Sequence, residues 1–119
     1  MNADQIAEIR PAIREAIKGA PKTCVTLEVD GEPDKWMQIV DRTVNAAYPH
    51  SDDPNERVKG MGSVQLMTKV TSWEPGKFAT FIFAELEATV VSHWVDAYFV
   101  KVLSCASGEY HVNVACEQL

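Results

Sequence analysis

Between positions 86 and 103 the apolar residues recur in a rhythm only a helix satisfies. Leu86, Val90, Val91, Trp94, Val95, Tyr98, Phe99, Val102 and Leu103 follow i, i+4, i+5, i+8, i+9 spacing. Glu85, Glu87, Ser92, His93, Asp96 and Lys101 fall on the other side. Acids near the start and a lysine near the end both suit the helix dipole, and Gly108 is expected to close the element. A stripe this wide needs a broad apolar surface to cover it, so what the rest of the chain supplies decides the fold.

It supplies strands. Residues 23–29 alternate, with Val25, Leu27 and Val29 on one face and Cys24, Thr26 and Glu28 on the other. DGEPD reads as a turn, KWMQIVD as a second strand and RTVNAAY as a third, with Val44, Ala46 and Tyr48 on one side. FATFIF is aromatic enough to be a strand, and YHVNVAC alternates with Tyr110, Val112, Val114 and Cys116 inward. The connections are short, which favours antiparallel pairing. A first helix precedes the strands, with Ile6, Ile9, Ile13, Ala16 and Ile17 on its stripe. Asn2 and Gln5 are placed to cap it, Gly19 and Pro21 to stop it, and Pro11 to kink it.

Two stretches are less regular. Residues 49–63, PHSDDPNERVKGMGS, read as a loop on one sheet edge. Residues 64–73 fit either element: Val64, Leu66 and Val70 suit a strand, Val64, Met67 and Val70 a short helix, and the helix is preferred. The expected architecture is α+β, an antiparallel sheet of about four to five strands. The N-terminal helix and the long C-terminal helix pack on one face, and the opposite face can lie open. With 119 residues, this is read as one domain.

Charge narrows the function classes. The net charge is −6, and residues 28–56 carry the whole surplus: Glu28, Asp30, Glu32, Asp34, Asp41, Asp52, Asp53 and Glu56 against Lys35 and Arg42. No basic footprint for nucleic acid is visible. No apolar run approaches the ~20 residues of a membrane helix. The N-terminus lacks a signal-peptide pattern, and three cysteines cannot all pair with one another. The chain therefore reads as cytoplasmic with reduced thiols.

The candidate chemistry is thin. Cys105, His111 and Cys116 lack the close pairing and the fourth ligand of a zinc site. His93 and Asp96 sit one helical turn apart, but no nucleophile motif accompanies them. His50 with Asp52 and Asp53 is sparser than a cation loop, and no glycine-rich phosphate loop is present. No cofactor, metal or catalytic residue is expected, and the chain is read as non-enzymatic. Trp94 belongs to the core. Trp36 and Trp73 flank turns, where a tryptophan serves either as a core plug or as a binding anchor. On the second strand Trp36, Gln38 and Val40 share one face and Met37 and Ile39 the other, so both faces are largely apolar.

The run from the first helix through TCVTLEVDGEPDKWMQIVDRTVNAAYP, then TSWEPGKF, then the long helix ending in VLSCASGEYHVNV, resembles the type III secretion chaperone-like (TY-Chap) family of small bacterial domains. The resemblance rests on a helix leading into a strand pair with an aromatic-x-Gln motif, here Trp36-Met37-Gln38. A Gly-Trp-x-x-Pro-like segment and a long helix follow. Ser72 stands where a glycine would precede Trp73, and the acidic loop is longer. The resemblance implies a dimeric, chaperone-like binding module that holds a partner segment, such as a secreted substrate, on its sheet or helix surface.

The leading expectation is thus a protein-binding domain that engages a partner through apolar strand surface at Trp36, Gln38 and Trp73. The alternative is an acidic immunity or inhibitor protein that neutralises a basic enzyme, such as a nuclease toxin, through Asp52, Asp53 and Glu56. Steering by charge would make the second reading salt-sensitive.

Overall fold

A computed structural model describes residues 1–59, 61, 68–83 and 87–118. Helix α1 (Ala3–Lys18) leads into strands β1 (Thr23–Val29), β2 (Glu32–Val40) and β3 (Thr43–Ala47). A short helix, α2 (Pro54–Lys59), precedes β4 (Thr68–Glu74) and β5 (Phe78–Phe83), and α3 (Ala88–Lys101) precedes β6 (Val112–Gln118). The strands form one six-stranded sheet in the order β4-β5-β3-β2-β1-β6, with every pairing antiparallel. The class matches the expectation, with a strand or two more.

The hairpins follow from their turn residues. Val29 pairs with Glu32, leaving Asp30-Gly31 as the loop, and Gly31 takes φ 77°, where a side chain would be strained. Gly76, at φ 74°, does the same for the β4–β5 turn. Strand β2 begins at Glu32 rather than at Lys35. Pro33 fits there because the register slips beside Glu28 and Val29, so the ladder is already interrupted.

Both long helices lie on one face. Ile9, Ile13 and Ala16 of α1 join one buried cluster with Val25, Leu27, Met37 and Ile39. From α3, Trp94 meets Phe81 and Phe83 at ring distances of 5.5 and 5.0 Å, and Tyr98 donates to the Ala47 carbonyl at 2.8 Å. Helix α1 runs through Pro11, and Asn2 Oδ1 accepts from the Gln5 amide as its N-cap. The Gln5 side chain does not complete a capping pair. It is buried and bonds β6 instead.

Several expectations are corrected. Residues 68–73 are strand: β4 pairs with β5 across the Gly76 turn, and a ladder partner outweighs the weak helical spacing. Residues 64–67 lie outside the described residues, as do Glu85 and Leu86. The stretch read as loop contains α2. Asp53 caps it by accepting from the Asn55 amide at 2.9 Å, and Pro54 occupies the first helical position, where a missing N–H costs nothing. Helix α3 ends well before Gly108, since Ser104 takes φ 61° and the Val102 and Leu103 amides fold back to the Tyr98 carbonyl. Val90 is 38% exposed and Ser92 is buried, donating to the Ala88 carbonyl at 2.6 Å. On β6, Val112 alone is buried. Val114 and Cys116 face the helix side but stay exposed, because β6 is an edge strand that the helices overhang only at its start.

Candidate functional site

Residues opposite one another in a ladder share a face, so the registers lay out the side of the sheet that, among the described residues, carries no helix. Thr26, Gln38, Asn45 and Thr80 form a row across its middle. Thr80 Oγ1 donates to Asn45 Oδ1 at 3.1 Å, and Gln38 is exposed. Apolar groups stand on either side of this row. Toward one end lie Val40, half-buried, and Ile82, 43% exposed. Toward the other lie Trp36 and Phe78, both half-buried, with Ala47 beneath them at 4% exposure. Glu28, Glu74 and Glu117 mark the margins; Lys69 lies there too, and Lys77 pairs with Glu74 at 3.0 Å.

Two of the three expected apolar-site residues, Trp36 and Gln38, therefore meet on this face. Trp73 does not. It pairs with Ala79 on the helix side and packs edge-on against buried Tyr48 at 6.0 Å. Ile82 and Phe78 were not singled out in advance. Their signal was the alternation in FATFIF, which sends Ala79, Phe81 and Phe83 to the core and leaves Phe78, Thr80 and Ile82 opposite.

The acidic residues are arranged differently from the expected docking surface. The register brings the β1–β2 hairpin and the segment after β3 to the same end of the sheet, so the acids of 28–34 and 52–56 do share a region. Most of those in the second group are engaged within the chain. Asp52 Oδ1 accepts from Arg57 Nε at 2.9 Å and from the Tyr48 hydroxyl at 3.2 Å. The Arg57 guanidinium holds the Asp52 carboxyl below its usual range. Burial, then the bond to Asp52, pushes the Tyr48 hydroxyl up to about 12. Asp53 caps α2, Glu56 pairs with Lys59 at 3.2 Å and Glu32 with Lys35 at 3.0 Å.

The other polar groupings are also tied into the structure. Asp96 accepts from the Tyr110 hydroxyl at 2.5 Å and pairs with the Met1 ammonium at 2.7 Å, so its carboxylate serves these rather than His93. His50 Nε2 meets the Val102 carbonyl at 2.7 Å, linking β3's exit to the end of α3. Cys105 is buried, Cys116 exposed, and burial pushes the Cys105 thiol up. A polar cleft of about 530 Å³ lies between the β1–β2 hairpin and the segment after α3, lined in part by Glu32, Lys35, Cys105, Tyr110 and His111. Among the described residues no three His, Cys, Asp or Glu side chains converge to hold a metal ion. Nor, among the described residues, is any helix long and apolar enough to cross a membrane. No protein-family model, no curated protein and no solved structure matches the chain.

Proposed function

We propose that this protein is a binding domain, chaperone-like in action, that receives an apolar segment of a partner polypeptide on the helix-free face of its sheet. The observation that carries the reading is the make-up of that face. Ile82 with Val40, and Trp36 with Phe78, stand apart from each other with hydrogen-bonding side chains between them. Burial of apolar area supplies affinity, and the Gln38 and Asn45 amides give register to a partner backbone. The glutamates at the margins favour a partner segment without acidic flanks.

The test is retention of a partner by tagged protein at low and at high salt, comparing wild type with Ile82→Asp and Trp36→Ala. A partner held at high salt and lost from both variants, at unchanged melting temperature, supports the reading. A partner equally retained by both variants overturns it.

A second reading, an acidic inhibitor of a basic enzyme, draws support from the β1–β2 hairpin, where Glu28 and Asp34 have no cationic partner among the described residues. It places recognition there rather than at Asp52, Asp53 and Glu56, whose carboxylates are engaged. Binding that collapses at high salt and on Glu28→Lys/Asp34→Lys favours it over the first.

A further inference from the structure

The sheet has two edges, and they are not alike. At β4 the register slips between Val70 and Ser72, leaving Thr71 as a bulge, and Lys69 adds a charge. A bulge and a lysine are the usual means by which an edge is made unfit to pair. At β6 neither device is present. The register with β1 runs unbroken from Val112 to Gln118, the segment VNVACEQ has no proline, and Glu117 is its one charge.

The direction of its backbone groups can be read from two hydrogen-bonding patterns. The His111 carbonyl accepts from Asp30, on the β1 side. The next residue, Val112, turns both of its groups the other way: its N–H donates to Gln5 Oε1 at 3.2 Å and its carbonyl accepts from Gln5 Nε2 at 2.8 Å. A buried glutamine amide thus stands in for a neighbouring strand at this one position. Backbone groups alternate along an antiparallel ladder, so Val114 and Cys116 also direct theirs outward. Among the described residues, no side chain takes there the place that Gln5 takes at Val112.

We infer that β6 pairs antiparallel with β6 of a second copy of this chain, about a two-fold axis at Ala115. Val114 of one protomer then faces Cys116 of its partner, and the two outward-pointing residues of each exchange four hydrogen bonds. In this register the pairs at Val114 and Cys116 lie clear of Val112, whose groups Gln5 already holds; only Gln118, the last residue of β6, falls opposite Val112, and the pairing ends there. Centring the pair on Val114 would instead set Cys116, in mid-strand, against Val112. It is also free of like-charge contacts, since Glu117 falls opposite Asn113. Val114, 42% exposed, and Cys116 lie on the helix side, where the partner's pair covers them. The contact is self-complementary, as a closed two-fold interface must be, and it leaves the helix-free face accessible. It does not rest on the proposed function.

Sedimentation equilibrium and directed cross-linking test it. Wild type is expected to be dimeric and Val114→Pro monomeric with its circular dichroism retained. That proline removes an N–H that the monomer does not use, in an edge strand that tolerates it. Should the proline variant fail to fold, a second variant still decides. Ala115 faces itself across the axis in a non-hydrogen-bonded pair, with Cα atoms expected about 4.5 Å apart, within disulfide reach. Ala115→Cys in a Cys116→Ser background, treated with oxidised glutathione, should give a covalent dimer, and Cys116→Ser alone should not. A monomeric wild type at about 100 μM overturns the inference. So does a dimer that survives Val114→Pro, or an Ala115→Cys protein that cross-links no faster than Thr71→Cys on the bulged edge.

Discussion

Phe81 and Ile82 are neighbours in the chain and lie on opposite faces of β5. Phe81 is 0% exposed, with Trp94 and Tyr98 ring centroids 5.5 and 5.7 Å away, and Ile82 is 43% exposed. The same contrast holds along the sheet. On the helix side the buried aromatic and aliphatic groups interlock, and the polar atoms among them are satisfied: Tyr98 by the Ala47 carbonyl, Gln5 by Val112, Ser92 by Ala88. On the other side the apolar groups are few and separated by amides and hydroxyls. A side chain buried among interlocking neighbours contributes mostly to stability. One that is apolar and half in water contributes little to it, and is available to something else. The faces should therefore separate stability from recognition, and each substitution below asks one face to show only its own effect.

The largest effect belongs to Phe81→Ala. Removing a fully buried aromatic ring costs about 3–5 kcal/mol, so chemical denaturation should show a much lower midpoint. Ile82→Ala, one residue along, should cost less than about 1 kcal/mol. Equal losses at the two positions would mean that the second face is covered, and would sink the reading built on it.

Next comes alkaline pH. Tyr48, Tyr98 and Tyr110 are the chain's three tyrosines, and all lie on the helix side. Burial raises the pKa of each, in Tyr48 to about 12, with the Asp52 and Asp96 carboxylates adding to the effect in Tyr48 and Tyr110. The unfolded tyrosines ionise near 10. Between these values the folded state holds protons that the unfolded state has lost, so stability falls as pH rises above 10 and is unaffected by these groups below it. Absorbance at 295 nm should detect little tyrosinate in the folded protein at pH 11, and full ionisation with unfolding. Early, non-cooperative ionisation would show that these hydroxyls reach solvent.

A smaller loss is expected at the acidic end. Asp53→Ala removes the α2 cap at about 1 kcal/mol. If the helix-free face does the binding, partner affinity should not change, and a drop in both would tie recognition to this end. That cap was legible in the sequence. Asp53-Pro54-Asn55-Glu56 carries an N-cap residue, a first-turn proline and a glutamate three residues after the cap, yet the density of turn formers around it suggested a loop. Counting the acids correctly located the charge surplus but could not reveal that Arg57 and Lys59 answer part of it, because ion pairing depends on side-chain geometry. The alternation in 23–29 and 43–48 specified strands and faces well, with Val25, Leu27, Val29, Val44, Ala46 and Tyr48 all buried, since each of these strands has a partner on both sides. It misled at β6, where the same alternation placed Val114 and Cys116 inward. A period of two tells which face a residue takes, and only the strand order tells whether anything covers that face. Strand order depends on long-range pairing, which local patterns do not encode. That is why Trp36 and Trp73, alike as tryptophans beside turns, could not be assigned to opposite faces beforehand.

The smallest effect on stability, and the sharpest on function, is expected from Ile82→Asp. Its side chain points away from the core, its ladder partner Thr43 is half-buried and polar, and its other neighbour on the same face is Lys69. A carboxylate there meets water on one side and a cation close by, so the fold should change by no more than about 0.5 kcal/mol. A partner that buries apolar area against Ile82 and Val40 would instead have to desolvate that carboxylate, a cost of several kcal/mol unless it is paired. Binding should fall by at least tenfold while the melting temperature holds. Gln38→Ala, in the middle row, should weaken binding less, because it removes hydrogen bonds that water replaces in part. If Ile82→Asp leaves affinity intact and Glu28→Lys/Asp34→Lys abolishes it, recognition belongs to the charged end, and the half-exposed apolar groups of the open face have no role in it.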